Sequence, residues 1–264
     1  MTGPSEPLLL SSLENGILRL TLNRPRARNA LSSALMAELQ AALDGAPAPA
    51  RAIVIAAAGP VFCAGHDLKE MSAGRADPDR GEAAFAALFT QCSKLMQRIV
   101  RHPLPVIAEV QGLATAAGCQ LVASCDLAVA SDNAHFATPG VDIGLFCSTP
   151  MVALSRNLPS KAAMHMLLTG EPVTADEARA LGLVNRVVGE RFLTETAMGL
   201  AAKIAAKPRA TVKTGKEAFY RQREMPLAEA YDYAARVMTE NMLAAEAEEG
   251  ICAFLEKRQP NWPV

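Results

Sequence analysis

Apolar residues recur along the chain at two spacings. The stretch GILRLTLNR (16–24) alternates apolar and polar positions and is rich in β-formers, so it predicts a strand. SALMAELQAALD (33–44) brings Leu35, Leu39 and Leu43 to one helical face, with Ser32 or Ser33 as N-cap. ARAIVIAAAG (50–59) reads as a buried strand running into the loop GPVFCAGHDL. A polar surface loop is expected over 72–82 and a helix over 82–100. The β-branched residues of HPLPVIAEVQG predict another strand, followed by a small-residue helix from Ala116 and a strand near 126–130. Strands alternating with helices argue for an α/β layered core.

Further along, Thr174 and Glu177 form a capping box, and Gly182 stops that helix before the strand LVNRVV. Beyond about residue 190 the pattern is helix after helix, broken at Pro208 and Pro226. Two regions are therefore expected, an α/β core over 1–189 and a helical region over 190–264.

Composition narrows the range of partners. The 264 residues carry a formal net charge of −1, and only 5% are aromatic. Neither a basic footprint nor a set of stacking platforms is present, so nucleic acid is not an expected partner. The six cysteines form no CxxC pair and, with four histidines, no zinc pattern, so no metal is expected. No apolar run is long enough to span a bilayer, and the N-terminus has neither a basic n-region nor an Arg-rich amphipathic segment. A soluble, cytoplasmic protein is the expectation.

Two segments carry the candidate chemistry. FCAGHDL and TAAGCQL place small residues in a post-strand loop and at a helix start. Free N–H groups at a helix N-terminus point outward, and two of them aimed at one oxygen can stabilise an oxyanion. Alone, either segment is equally explained by a helix packing tightly on a sheet.

In this order, with LTLNRPRARNAL (20–31), PVIAEVQGLATAAGCQLVASCDLAVAS (105–131), FATPGVDIGL (136–145) and LTGEPVTADEARALGLVNRVV (168–188), the chain resembles the crotonase (enoyl-CoA hydratase/isomerase) superfamily. The resemblance implies an α/β fold, a spiral of repeated ββα units with C-terminal helices that build a homotrimer or a dimer of trimers. It implies an acyl-CoA thioester as substrate, with coenzyme A entering as part of it and no separate cofactor. The backbone N–H groups of Ala64 and Ala117 would grip the thioester carbonyl. CoA would lie along Ala64, Asp67 and Leu68, with Arg26, Ala27 and Arg28 near its phosphates. C-terminal basic residues, among them Lys203, Lys207, Arg209, Lys213 and Lys216, would lie on helices able to reach a neighbouring subunit's CoA.

The family's two catalytic glutamates fall at Gln120 and Gly140. An amide can position a water but cannot act as a carboxylate base, and glycine offers no side chain. Asp142, His66, Cys147 and Ser148 are the nearby residues weighed as substitutes, and Glu109 is expected to enter a subunit contact. Two readings stay open at this point. One is an enoyl-CoA hydratase/isomerase type of enzyme, or a related decarboxylase or thioester hydrolase; the other is a non-catalytic acyl-CoA-binding protein.

Overall fold

The computed structural model describes residues 6–262. The strands are β1 (Leu9–Glu14), β2 (Ile17–Leu22), β3 (Ala52–Ala57), β4 (Val61–Cys63), β5 (Val106–Val110), β6 (Leu113–Thr115), β7 (Leu127–Ser131), β8 (His135–Ala137), β9 (Val173–Thr174) and β10 (Arg186–Val188). The core helices are α1 (Ser33–Asp44), α2 (Leu68–Gly74), α3 (Glu82–Val100), α4 (Ala117–Ser124), α5 (Ser148–Asn157), α6 (Ser160–Thr169), α7 (Ala175–Leu181) and α8 (Leu193–Ala205). Three more follow, α9 (Arg209–Gln222), α10 (Leu227–Met242) and α11 (Ala245–Leu255).

Successive strands are dealt to two sheets. One sheet runs β1-β2-β3-β5-β7-β10 and the other β4-β6-β8-β9. Thus β3, β5 and β7 enter the larger sheet, while each following short strand enters the smaller one, which is the repeat that winds the chain into a spiral. Pairing is parallel from β2 through β10, as the helical crossovers require. The central strands read as unbroken apolar runs because both of their faces are covered. On one face Ile53, Ile55, Val106 and Ala108 join the main core with Leu35, Leu39, Leu95 and Ile99. On the other, Val54, Ile107 and Val129 meet Leu193, Ala197 and Ala201 of α8.

The second layer therefore comes from beyond residue 189, so α8 packs as part of the sheet domain although the sequence pattern groups it with the later helices. β1 is an antiparallel partner of β2. Their turn is Asn15-Gly16, both at positive φ (50° and 76°), the conformation favoured by this dipeptide in tight hairpins. The expected capping box is present: Thr174 accepts from the Glu177 N–H, and the Glu177 carboxylate accepts from the Thr174 N–H at 2.7 Å.

A polar clasp ties α9 to the core. Lys216 Nζ reaches Asp126 Oδ2 at 2.7 Å and the carbonyls of Ile99 and Leu104 at 3.1 and 3.0 Å. Tyr220 Oη donates to the other Asp126 oxygen, and the Val106 N–H also donates to the carboxylate. Lys216 is thus enclosed by its own subunit, which corrects its expected place among the basic residues able to reach a neighbour's CoA. Glu109 is likewise occupied within the chain. Its carboxylate accepts from Arg19 and from Thr194, each at 2.7 Å, beneath α8.

Candidate active site

The site is built where the loop after β4 meets the start of α4. Ala117 is the first residue of α4, so its N–H has no acceptor inside the helix, and none outside it among the described residues. Ala116, just before it, sits at φ 49° and ψ −117°, a conformation that costs a residue with a side chain about 1–3 kcal/mol. Its N–H donates to Ala137 and its carbonyl accepts from Gln120, which hold the strained corner in place.

Two glycines let the other loop close against this corner. A Cβ on Gly118 would stand 2.2 Å from the Cys63 carbonyl oxygen, and one on Gly65 would stand 3.4 Å from the Ala117 nitrogen. Gly65 also has φ +87°, a backbone shape open to glycine and strained for other residues. The backbone after β4 therefore lies directly on the free amide of Ala117.

Which amide of that loop is free is decided by its pairing with residues 28–31. The Ala64 N–H donates to the Arg28 carbonyl at 3.0 Å, so the expected donor is already spent. A parallel bridge joins Leu31 to His66. It uses the Leu31 N–H to Gly65 O at 2.7 Å and the Asp67 N–H to Leu31 O at 3.4 Å. The amide of the bridged residue itself points to the opposite side. His66 N–H has no acceptor among the described residues, and it is this group, not Ala64, that stands free beside Ala117.

The side chains around these amides are apolar or neutral. Gln120 is buried, and its Oε1 accepts weakly from the Cys92 thiol at 3.8 Å. Burial pushes the thiols of Cys63, Cys92 and Cys119 up to about 12, so none is a thiolate near neutral pH. The position of Gly140 is sealed. A Cβ there would stand 2.5 Å from the Leu145 carbonyl oxygen and 2.9 Å from Cys147 Sγ, because the Leu145 N–H folds back onto the Gly140 carbonyl. Cys147 is buried there as a thiol with its pKa raised by burial, whereas Ser148 is exposed and donates to the Phe146 carbonyl. Asp142 is exposed and its carboxylate lies against Gly170.

His66 differs from these. Its ring packs edge-on against Phe89 of α3, centroids 5.6 Å apart, and neither ring nitrogen makes a well-formed hydrogen bond. Burial lowers its pKa below the ordinary value, partly offset by the Leu31 backbone carbonyl and by Glu70.

The residues expected around CoA divide into two groups. Asp67 is fully engaged: it caps α2 through the N–H groups of Lys69 and Glu70, and it pairs with Arg24 at 2.9 Å. These contacts hold its carboxylate well below its ordinary pKa despite the cost of burial. Arg26 and Arg28 are exposed on the short 3-10 turn Pro25–Ala27 and its end, without a carboxylate partner among the described residues. Ala27 is half-buried on the same turn, and Leu68 opens α2 with its side chain 55% exposed. No group of three or more metal-ligating side chains occurs among the described residues, and no helix there is long and apolar enough to cross a membrane.

The family model for enoyl-CoA hydratase/isomerase matches residues 12–263, and the chain belongs to that family. It is 49% identical to human enoyl-CoA hydratase domain-containing protein 3, mitochondrial, over 98% of this chain and 84% of that protein. It is 34% identical to 2,3-dehydroadipyl-CoA hydratase of Escherichia coli, over 96% and 98%. Among solved structures, enoyl-CoA hydratase of Mycobacterium smegmatis superposes with a TM-score of 0.93 at 53% identity, covering 97% of this chain and 99% of that one. The human domain-containing protein 3 superposes with a TM-score of 0.92 at 47% identity, covering 97% and 100%.

These names also correct the expected location. The human, rat and mouse relatives are named as mitochondrial proteins, which points to mitochondria rather than the cytoplasm.

Proposed function

We propose that this chain processes acyl-CoA thioesters by the enoyl-CoA hydratase/isomerase type of chemistry, polarising the thioester carbonyl between the backbone N–H groups of His66 and Ala117. The observation that carries this reading is the pair of unspent amides on two segments locked together by Gly65 and Gly118. Donors fixed in advance at the point where charge develops contribute a few kcal/mol to the transition state. Gln120 stands as a neutral hydrogen-bonding group beside the reacting carbons. Arg26 and Arg28 supply exposed guanidinium groups suited to the phosphates of CoA, with Ala27 and Leu68 along its path. Asp67 acts through the loop it holds.

The reading extends to assembly. Helices α10 and α11 and the turn between them leave Leu227, Tyr231, Leu243 and Phe254 71–83% exposed, apolar surface of the kind subunit contacts cover. A homotrimer or dimer of trimers fits this surface.

The test compares wild type with Ala117→Pro. Proline removes the N–H and suits the first position of a helix, but it restricts the Ala116 corner before it, so the variant is compared only after circular dichroism shows it folded. Wild type is expected to consume crotonyl-CoA, followed by the enoyl-thioester absorbance, and the folded variant to lose about a hundredfold or more. Acyl-CoA binding without turnover in wild type, across crotonyl-CoA and its 3-hydroxy product, would instead favour the non-catalytic reading that Gln120 and Gly140 suggest.

A further inference from the structure

We propose that the imidazole of His66 is the proton-transfer group of this site, a role that rests on the acyl-CoA reading above. A buried polar atom without a partner is costly and rare enough in native proteins to require an explanation. Among the described residues such side-chain atoms occur in Arg19, Gln40, His66, Arg98, Glu109 and Thr115. Arg19, Gln40, Arg98 and Glu109 each make bonds through other atoms. The Thr115 hydroxyl is also unmatched, but a hydroxyl is neither acid nor base near neutral pH. His66 has two ring nitrogens without a well-formed hydrogen bond, on the residue whose backbone N–H is free beside Ala117.

The ring is also in the right part of the site. Helix α3 presents Phe89 to His66 and Cys92 to Gln120. Those two residues are three apart, so they share a helix face and differ by about 4.5 Å along its axis. The imidazole and the Gln120 amide therefore pack against one face of α3, the first on the residue that carries one free amide and the second three residues after the other. Asp142, the nearest carboxylate in sequence to Gly140, is exposed against Gly170, and the buried thiols stay protonated.

The chemistry balances with one group. The neutral imidazole takes a proton from the acyl α-carbon, and the C–H electron pair passes into the enolate, whose oxygen rests on the two N–H groups. The imidazolium then returns a proton to the α-carbon, giving exchange; where the acyl chain carries a β,γ double bond, the electron pair extends to the γ-carbon, which takes the proton as the double bond moves to the α,β position, giving isomerisation. In hydration it takes a proton from water as the water oxygen bonds the β-carbon, then delivers that proton to the α-carbon.

The experiment follows deuterium entry at the α-carbon of butyryl-CoA in heavy water by NMR, with butyryl-CoA binding measured beside it by calorimetry. Wild type, His66→Gln and His66→Phe are compared after a circular dichroism check; both variants keep the backbone N–H, and phenylalanine keeps the packing on Phe89. Unchanged binding with exchange reduced about a hundredfold or more in both variants supports the proposal. Exchange at the wild-type rate in either folded variant overturns it, as does a wild type that binds butyryl-CoA without exchanging it; the acyl-CoA reading survives both results. A wild type that does not bind butyryl-CoA overturns that reading and this proposal together.

Discussion

The two walls of the site are built in opposite ways. On one, backbone amides are exposed by Gly65, Ala117 and Gly118, and every neighbouring bond serves to hold them still. On the other, Gln120 is sealed against Cys92 and the place of a second side chain is filled by the Leu145 carbonyl and the Cys147 thiol. The first wall depends on the absence of side chains and tolerates no added atom. At Gln120 and Gly140 the second presents an amide, a backbone carbonyl and a protonated thiol, and no carboxylate. One wall is thus defined by backbone donors and the other by neutral groups that fill space.

Substitutions test this contrast most sharply where space is least. Gly118→Ala places a Cβ 2.2 Å from the Cys63 carbonyl oxygen. It is expected to cost about 3 kcal/mol or more in urea unfolding and to abolish acyl-CoA binding. Gly140→Glu adds a carboxylate to the second wall but drives its Cβ to 2.5 Å from the Leu145 oxygen. The expected result is a loss of about 2 kcal/mol and no gain in crotonyl-CoA hydration. A rise in hydration rate with unchanged stability would show that the second wall opens easily and that the two walls are less different than drawn.

The smallest effect is a slope in pH. Burial lowers the pKa of His66 and of His102 below the ordinary 6.5. His102 is fixed as a neutral core group, its Nδ1 accepting from the Leu104 N–H and its Nε2 facing the Leu43 carbonyl. A lowered histidine binds its proton in the unfolded chain first. Stability is thus full above about pH 6.5 and declines as pH falls below it, by at most about 1.4 kcal/mol per pH unit for each group. Urea titrations between pH 7.5 and 5 are expected to show this decline, with His66→Gln removing its own share and leaving that of His102.

Much of the fold was readable from periodicity. The helices 33–44 and 82–100 occupy the expected residues, and Pro208 and Pro226 stand immediately before α9 and α10. The strands β4 and β6 were not readable, because three residues are too few to show an alternation. β1 hid behind its polar Ser-Ser-Leu-Glu end, although Asn15-Gly16 was a usable hairpin signal. In the site, a helix start at Ala116, one residue early, followed from local pattern, and the place of Ala117 followed from the resemblance. The choice between Ala64 and His66 did not, since it depends on which amides a segment over thirty residues earlier consumes. The sealing of Gly140 depends on how Leu145 folds back, which no spacing rule reports.

The clasp on Asp126 has a consequence for the order in which the molecule is completed. Lys216 lies ninety residues further along the chain than its partner. During synthesis, β5 and β7 emerge long before the cation that neutralises the carboxylate between them. Until then Asp126 has only the Val106 amide from the early chain and must keep its water. The centre of the sheet is therefore finished from its far end, and a nascent chain that stops short of α9 holds a wet, unfinished seam at Asp126.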